Sequence, residues 1–337
     1  MPIMSIIVPA YNAEKYISTA LDSLINQTLQ DIEIICINDG SKDGTLNILN
    51  EYARNDSRII VIDKKNEGSA AARRDGIKAA SAEYIGFLDS DDYYESTYCS
   101  TMVSAMIQGN FDLVECGYFE FYDNTEEKLT HLFCDSEIVL YEKKDFIKRI
   151  FNETIVDGKE AIVNWNKVYK RDMILEYVTD YGHSLLDDYL FNLQYYAGVK
   201  RYKYIPTPML NYRISDNSLS KRYNKDFYKI LKEVNTRKLT VIQSLQLEDI
   251  QYRRAATWFC DYVKRYLIFH QLVLNDYSLF KSIMSDEILR EQASIAIKRD
   301  WFTLCISKKW NCVIPAVYVL LTWIYSLVKK IKRIIKR

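Results

Sequence analysis

Three carboxylates in four positions, Asp89, Asp91 and Asp92, close the apolar run Tyr84–Leu88. Acids this close repel one another unless a proton or a cation intervenes. A hard divalent ion, Mn2+ or Mg2+, meets that need with one or two carboxylates and leaves room for substrate phosphates. The same residues also read as a solvated acidic turn that opens the next helix. A second acid pair, Asp187-Asp188, stands before a helical apolar face (Tyr189, Leu190, Leu193). Taken alone it suits a helix N-terminus, where the backbone dipole favours negative charge. Arg73 and Arg74 occupy the opening turns of a predicted helix, a setting that favours anions.

The elements that must position these groups are regular. Ser5–Pro9 reads as a first buried strand stopped by Pro9, and Asn12 as the cap of a helix over Ala13–Asn26. Ile32–Ile37 is a second strand, ending in Asn38-Asp39-Gly40-Ser41; Asp43 or Thr45 can cap the helix that follows. Ile59–Ile62, a helix over Ala70–Ala80, and Tyr84–Leu88 complete four alternations of strand and helix. Such alternation predicts an α/β domain with a doubly wound, mostly parallel sheet. In sheets of this kind ligands bind beyond the carboxyl ends of the strands, where the acids lie.

Composition narrows the function classes. Lys+Arg and Asp+Glu both total 45, so nothing argues for nucleic acid as a partner. The balance is uneven: six of the last nine residues are Lys or Arg, which leaves a net of six negative charges on the rest. Seven scattered cysteines without a CxxC pair, and three histidines, argue against structural zinc and for a reducing compartment. Cys36, inside an apolar run, reads as a core residue, and the N-terminus lacks the order of a signal peptide, so a cytoplasmic protein is expected.

Four segments in register carry a family resemblance: Val8-Pro-Ala-Tyr-Asn12, Asn38-Asp-Gly-Ser41, Asn66-x-Gly68 with Ser69-Ala-Ala-Ala-Arg73, and Phe87-Leu-Asp-Ser-Asp-Asp92. Together they resemble the nucleotide-sugar half of the family two glycosyltransferases, which have the GT-A fold. The resemblance implies a nucleotide-sugar donor, UDP-linked as the first expectation, held by Pro9, Ala10, Tyr11, Asp39, Asn66, Arg73, Asp89, Ser90 and Arg213. Asp39 would accept the imide N–H of the base, Tyr11 would stack on it, and Arg73 would face phosphate. Arg74 departs from the Asn usual at that position, and a solvated charge is expected there. Asp91, with Asp89 as partner, would hold Mn2+ or Mg2+, and Asp92 would cap the helix that follows.

The second half extends the resemblance less evenly. Phe111–Tyr122 reads as a strand and Ile138–Ile150 as leading into an amphipathic helix. Asn164-Trp-Asn-Lys-Val-Tyr-Lys-Arg171 resembles the family's Trp-x-Lys-x-Tyr-x-Arg segment, with Trp165 structural and Lys167 left open. Asp187-Asp188 resembles the family's acid-Asp motif; that likeness assigns the catalytic base to Asp188, with Asp187 as the fallback. His183 is more often a packed or solvated residue than a ligand. Pro206–Leu219 resembles the family's closing Tyr-x-Tyr-Arg segment with Asn211 in place of one aromatic, and Arg213, Ser218, Lys221 and Arg222 would close over the diphosphate. No Gln-x-x-Arg-Trp motif is present, which favours single addition over processive synthesis.

From Asp226 to about Leu304 the pattern is helical, and Cys312–Val328 is almost wholly apolar before the basic block Lys329–Arg337. A run near the lower limit for spanning, followed by cations, suits the inner face of a plasma membrane; the alternative is a buried terminal helix. The expected organisation is a glycosyltransferase domain over 1–222 (nucleotide-sugar half 1–110, acceptor half 111–222), a helical appendage over 223–309 and a membrane-associating tail over 310–337. The expected function is an inverting, metal-dependent hexosyl transfer from a nucleotide sugar to a lipid-linked or polysaccharide acceptor in bacterial surface-glycan synthesis. A nucleotidyltransferase would need a glycine-rich basic loop after the first strand, and Pro9–Asn12 is not one. A non-catalytic sugar-nucleotide or membrane scaffold would have little use for Asp39, Asp91 and Asp188 together.

Overall fold

The computed structural model describes residues 1–123, 127–159, 162–182, 185–214, 224, 226–267, 277–298 and 300–308. By packing, the chain divides into two units: Met1–Phe151 with Glu160–Arg222, and Asn152–Lys159 with the residues after Arg222.

The first unit begins as the sequence predicts. Strands β1 (Met4–Ala10), β2 (Ile32–Asp39), β3 (Ile59–Lys64) and β4 (Tyr84–Phe87) alternate with helices α1 (Ile17–Ile25), α2 (Thr45–Asn55) and α3 (Ser69–Ala79). The four strands lie parallel in the order β3-β2-β1-β4. Beyond β4 the sheet continues through β9 (Lys167–Lys170), β6 (Leu113–Tyr122), β10 (Tyr202–Ile214) and β5 (Tyr93–Tyr94). β9 is antiparallel to both neighbours, and β10 is parallel to β6. β7 (Lys128–His131) pairs with β6, and β8 (Ile138–Leu140) with β10.

Both faces are covered, as an uncharged parallel strand requires. On one face Ile6, Val8, Ile34 and Cys36 pack with Leu21 and Leu24 of α1 and with Met102 and Met106 of α4 (Tyr98–Gly109). On the other, Ile7 meets α3 so closely that a Cβ at Gly76 would lie 2.4 Å from Ile7 Cγ2.

Several boundaries differ from expectation, each for a local reason. Pro9 does not stop β1, which runs on to Ala10 opposite Asn38. The carbonyls of Ile3 and Ile7 face β4, so the N–H that Pro9 lacks points the same way, past the end of β4 at Phe87. Asn12 does not cap α1, which starts at Ile17; it takes φ 50°, accepts from Lys42 N at 2.8 Å and donates its own N–H to Ser41 Oγ at 3.0 Å. Asp92 does not cap α4, whose N-terminal neighbour is Thr97. The segment after β8 is helix α5 (Lys143–Phe146) running into a π-helical stretch, Ile147–Val156.

The second unit is helical: α8 (Phe227–Ser244), α9 (Asp249–Tyr266), α10 (Tyr277–Met284), α11 (Glu287–Ile295) and α12 (Trp301–Ser307). Asp286 and Asp300 cap α11 and α12 by accepting from Leu289 N and Thr303 N. Lys238 is buried with its ammonium 3.3 Å from the Trp258 ring centre, and Arg254 pairs with Asp157. Among the described residues no helix is long and apolar enough to cross a membrane. The apolar run and basic block after Lys308 lie outside the described residues, as do His183, Ser218, Lys221 and Arg222.

Candidate active site

The carboxyl ends of β1, β2 and β4 bring the first-half motifs together. Asp39, the last residue of β2, is buried, and its two oxygens accept the backbone N–H of Glu67 (2.9 Å) and Gly68 (2.8 Å). The turn between β3 and α3, which carries Asn66, is thereby tied to the strand end, and each oxygen keeps one lone pair. Gly40 has φ 69°, and a Cβ there would meet Asn66 N at 2.7 Å, so this approach requires glycine. Tyr11 is 48% exposed, just past β1 and Pro9-Ala10, with its ring available to a ligand.

Arg73 is the centre of the site. It sits in the second turn of α3, is 7% exposed, and forks across three acids: Asp89 at 2.8 Å, Asp187 at 2.8 Å and Asp188 at 3.3 Å. Burial disfavours its charge, but Asp188, Asp89 and Asp187 outweigh burial and hold the guanidinium protonated. Its Nε is buried and has no hydrogen-bond partner among the described residues. Arg74 pairs with its neighbour Asp75 at the surface.

Asp187 and Asp188 open α7 (Asp187–Tyr196), entered through Leu186 at φ 59°. Asp187 accepts from Ser69 Oγ (2.9 Å) and from Arg73, and its other oxygen takes Asp188 N at 3.0 Å. Asp188 accepts from Asn164 Nδ2 (2.9 Å) and Asn164 N (3.3 Å). Burial, then the charges of Asp187 and Asp89, push its carboxyl up to about 7 against the pull of Arg73. A carboxylate tuned to neutrality is matched to general-base work.

The acid loop after β4 has its own anchor. Ser90 is half-buried between Asp89 and Asp91. Asp92 is buried and accepts the N–H of Arg213 at 2.8 Å, while burial and the charges of Asp91 and Asp89 hold its carboxyl well above the usual range. Arg213 Nε donates to the Asp91 carbonyl at 2.8 Å, and its guanidinium pairs with Asp123 between the rings of Tyr16 (4.5 Å) and Phe121 (4.7 Å). Tyr16 and Lys15 also bond Asp123 and pull its carboxyl down to about 2. The donors of Arg213 thus hold the acid loop to the end of β10.

Asp91 is the acid left over. Among the described residues no Lys or Arg forms an ion pair with it, and burial followed by the Asp89 charge raises its carboxyl to about 6. Among the described residues no group of three or more His, Cys, Asp and Glu is arranged to hold a metal ion. A divalent ion here would therefore rest on Asp91 and Asp89 and draw its other ligands from phosphate and water, which suits Mg2+ or Mn2+.

Other motif residues serve the scaffold. Lys167 is buried against Glu115 (3.0 Å), and Trp165 stacks on Tyr212 with ring centres 5.3 Å apart. Asn211, where an aromatic was expected, is buried and bonds Glu95 and Lys128. Sequence reasoning assigned nothing to Asn164, Asp123 or Tyr16; their partners lie 24, 90 and 107 positions away, beyond any periodic signal.

Comparison with known proteins bears on the family and the fold. The family model described as Glycosyl transferase family 2 matches residues 5–173, which takes in the acid loop but ends before Asp187. The putative glycosyltransferase EpsH of Bacillus subtilis is 37% identical over 235 residues, 67% of this chain and 65% of EpsH. The poly(ribitol-phosphate) beta-glucosyltransferase of Bacillus spizizenii is 48% identical over 97 residues, 28% of this chain and 15% of that protein. This chain thus spans somewhat under two thirds of the one relative and a small part of the other. Among solved structures, residues 1–349 of S. aureus TarS in complex with UDP-GlcNAc give a TM-score of 0.69 at 18% identity, covering 98% of this chain and 92% of that one, a likeness of fold. With the family model spanning half of the chain and its motifs gathered at the strand ends, the chain belongs to glycosyl transferase family 2.

Proposed function

We propose that this chain moves a single sugar, with inversion, from a nucleotide-sugar donor to a lipid-linked or polysaccharide acceptor, and that it needs Mn2+ or Mg2+ to do so. The observation that carries the reading is Arg73 of α3 drawing Asp89 from the loop after β4 and Asp187 and Asp188 from α7 to one point beside Asp91. Asp188, with a carboxyl near neutrality, takes the proton of the acceptor hydroxyl. The acceptor oxygen bonds to C1 of the sugar from the face opposite the diphosphate; the C1–O bond breaks and its electron pair leaves with the diphosphate. Asp91 and Asp89 would hold the ion, whose chemistry is to neutralise charge on the leaving diphosphate. Asp39 and Tyr11 receive the base. The UDP-GlcNAc bound by TarS supports a UDP-sugar, and the polymer named for the Bacillus spizizenii relative supports a surface-glycan acceptor.

The test is a thermal-shift panel of UDP-, GDP- and dTDP-sugars on the full-length chain with and without Mn2+, followed by calorimetry on the best ligand. One nucleotide class should stabilise in a metal-dependent way, and Asp91→Ala should remove that dependence while the protein stays folded. Equal nucleotide affinity with and without metal counts against the ion. A retained anomeric configuration in the product, read by NMR, counts against inversion.

A further inference from the structure

We propose that Asn164 is a positioning residue for the Asp188 base, and that its amide is held in one orientation by Asn192, itself set by the backbone of α7. The inference rests on the reading of Asp188 as base. Asn164 is 1% exposed and Asn192 and Tyr169 are fully buried, so their polar atoms must find partners among themselves.

The orientation follows from counting donors. Asn192 Nδ2 donates to the main-chain carbonyl of Asp188 (2.9 Å), one helical turn back, and to Asn164 Oδ1 (2.5 Å). A carbonyl can only accept, so the Asp188 carbonyl decides which end of the Asn192 amide faces it. The Asn192 NH2 then demands an acceptor from Asn164, and Asn164 Oδ1 supplies it. The Tyr169 hydroxyl lies 3.0 Å from Asn192 Oδ1 and 3.3 Å from Asn164 Oδ1, two acceptors for its proton. The Asn164 NH2 is left facing Asp188 Oδ1 at 2.9 Å, with its backbone N–H on Oδ2 at 3.3 Å. Turning Asn164 over would set amide against amide on one side and carbonyl against carboxylate on the other.

The consequence falls on the carboxylate. Oδ1 accepts from Asn164 Nδ2 and is the oxygen ion-paired with Arg73 at 3.3 Å, whereas among the described residues Oδ2 accepts only from Asn164 N, at the longer distance of 3.3 Å. Oδ2, the oxygen turned away from the Arg73 charge and the shorter Asn164 bond, is therefore the atom left for the acceptor proton. The charged groups facing the carboxylate are Arg73 of α3, Asp187 of α7 and Asp89 beyond β4. The Asn164 donors side with Arg73 in favouring the ionised form that a base requires.

Two variants of the full-length chain test this: Asn164→Leu, which removes the side-chain donor at similar volume, and Asn192→Leu, which leaves Asn164 in place but free to turn. The first readout needs no substrate: the carboxyl carbon of Asp188, labelled with 13C and assigned by its loss in Asp188→Asn, is titrated by NMR. Its midpoint should rise by about one pH unit in Asn164→Leu and by less in Asn192→Leu, the size expected for one lost charge-assisted hydrogen bond. The second readout is hydrolysis of the nucleotide sugar that binds best in the panel above: kcat should fall about tenfold with KM unchanged, and the acid limb of the pH profile should move with the NMR midpoint. An unmoved midpoint in both folded variants overturns the proposal, as does a loss of activity that tracks melting temperature alone. Full turnover in Asp188→Asn would instead overturn the assignment of the base, a separate outcome.

Discussion

At the scale of single residues, the site is a problem of charge balance, with one buried guanidinium against three carboxylates and Asp91 left beside them. Asp188→Asn keeps shape and hydrogen bonding but removes the proton acceptor, so turnover should fall about 10²–10⁴-fold with donor affinity little changed. If Asp187→Asn gives the larger loss with binding intact, the two roles are exchanged. Wild-type turnover should rise with pH through about 7, where Asp188 ionises. Stability moves the other way. A carboxyl whose native pKa is raised binds its proton more tightly when folded, so its contribution is favourable while protonated and is lost as pH climbs from the ordinary carboxylate range through about 7. Asp188→Asn should therefore gain in melting temperature over wild type between pH 5 and pH 8; a gap that does not widen with pH would refute the raised pKa. Arg73→Met leaves three carboxylates without their shared cation and should cost about 3–5 kcal/mol, read by urea unfolding. Asp89 and Asp91 stood out as a candidate cation site by residue type and spacing, and Asp188 was singled out only by the resemblance to the family's acid-Asp motif. That Arg73 braces all three of Asp89, Asp187 and Asp188 was not legible, because the two acids of α7 lie 114 and 115 positions away in the chain.

At the scale of elements, the four parallel strands were readable because each is built on a largely apolar run bounded by turn residues, and the helices between them let neighbouring strands lie parallel in the order β3-β2-β1-β4. The boundary errors share a cause: Pro9, Asn12 and Asp92 carry local signals that long-range partners override. The same holds for Arg213, whose backbone N–H, Nε and guanidinium bind Asp92, the Asp91 carbonyl and Asp123. Removing that latch with Arg213→Met should leave the parallel strands intact, since none of its partners belongs to them. It should loosen the acid loop and weaken Mn2+-dependent UDP binding about tenfold, the worth of one hydrogen bond to a charged group. Calorimetry with UDP and Mn2+ reads this directly, and an unchanged affinity would mean that the loop holds Asp91 without help from β10. The antiparallel insertion of β9 between β4 and β6 had no signature in the sequence beyond a short alternating run, since strand pairing depends on partners rather than on the strand itself.

At the scale of the whole molecule, the sequence pairs a transferase fold with a strongly asymmetric end. Six cations in the last nine residues, after an apolar run over 312–328, should hold the protein to anionic membranes, each surface cation contributing about 1 kcal/mol at moderate salt. Full-length protein should pellet with phosphatidylglycerol vesicles and resist a high-salt wash, whereas truncation before Trp310 should leave a chain that stays in solution and still hydrolyses donor. Release by salt alone would mean surface attachment without insertion, and failure of the full-length chain to bind vesicles would remove the membrane from the account. Sequence by itself determined the parallel half of the sheet, the strand-end acids and the helical character after Asp226, because apolar periodicity and turn chemistry are local and each segment carries its own copy. Tertiary structure alone decided that Arg73 unites three carboxylates, that Asn164 orients Asp188, and that Arg213 anchors the acid loop. Those contacts join residues from 24 to more than 120 positions apart, and a buried polar group reveals its role only once the fold has chosen its partners.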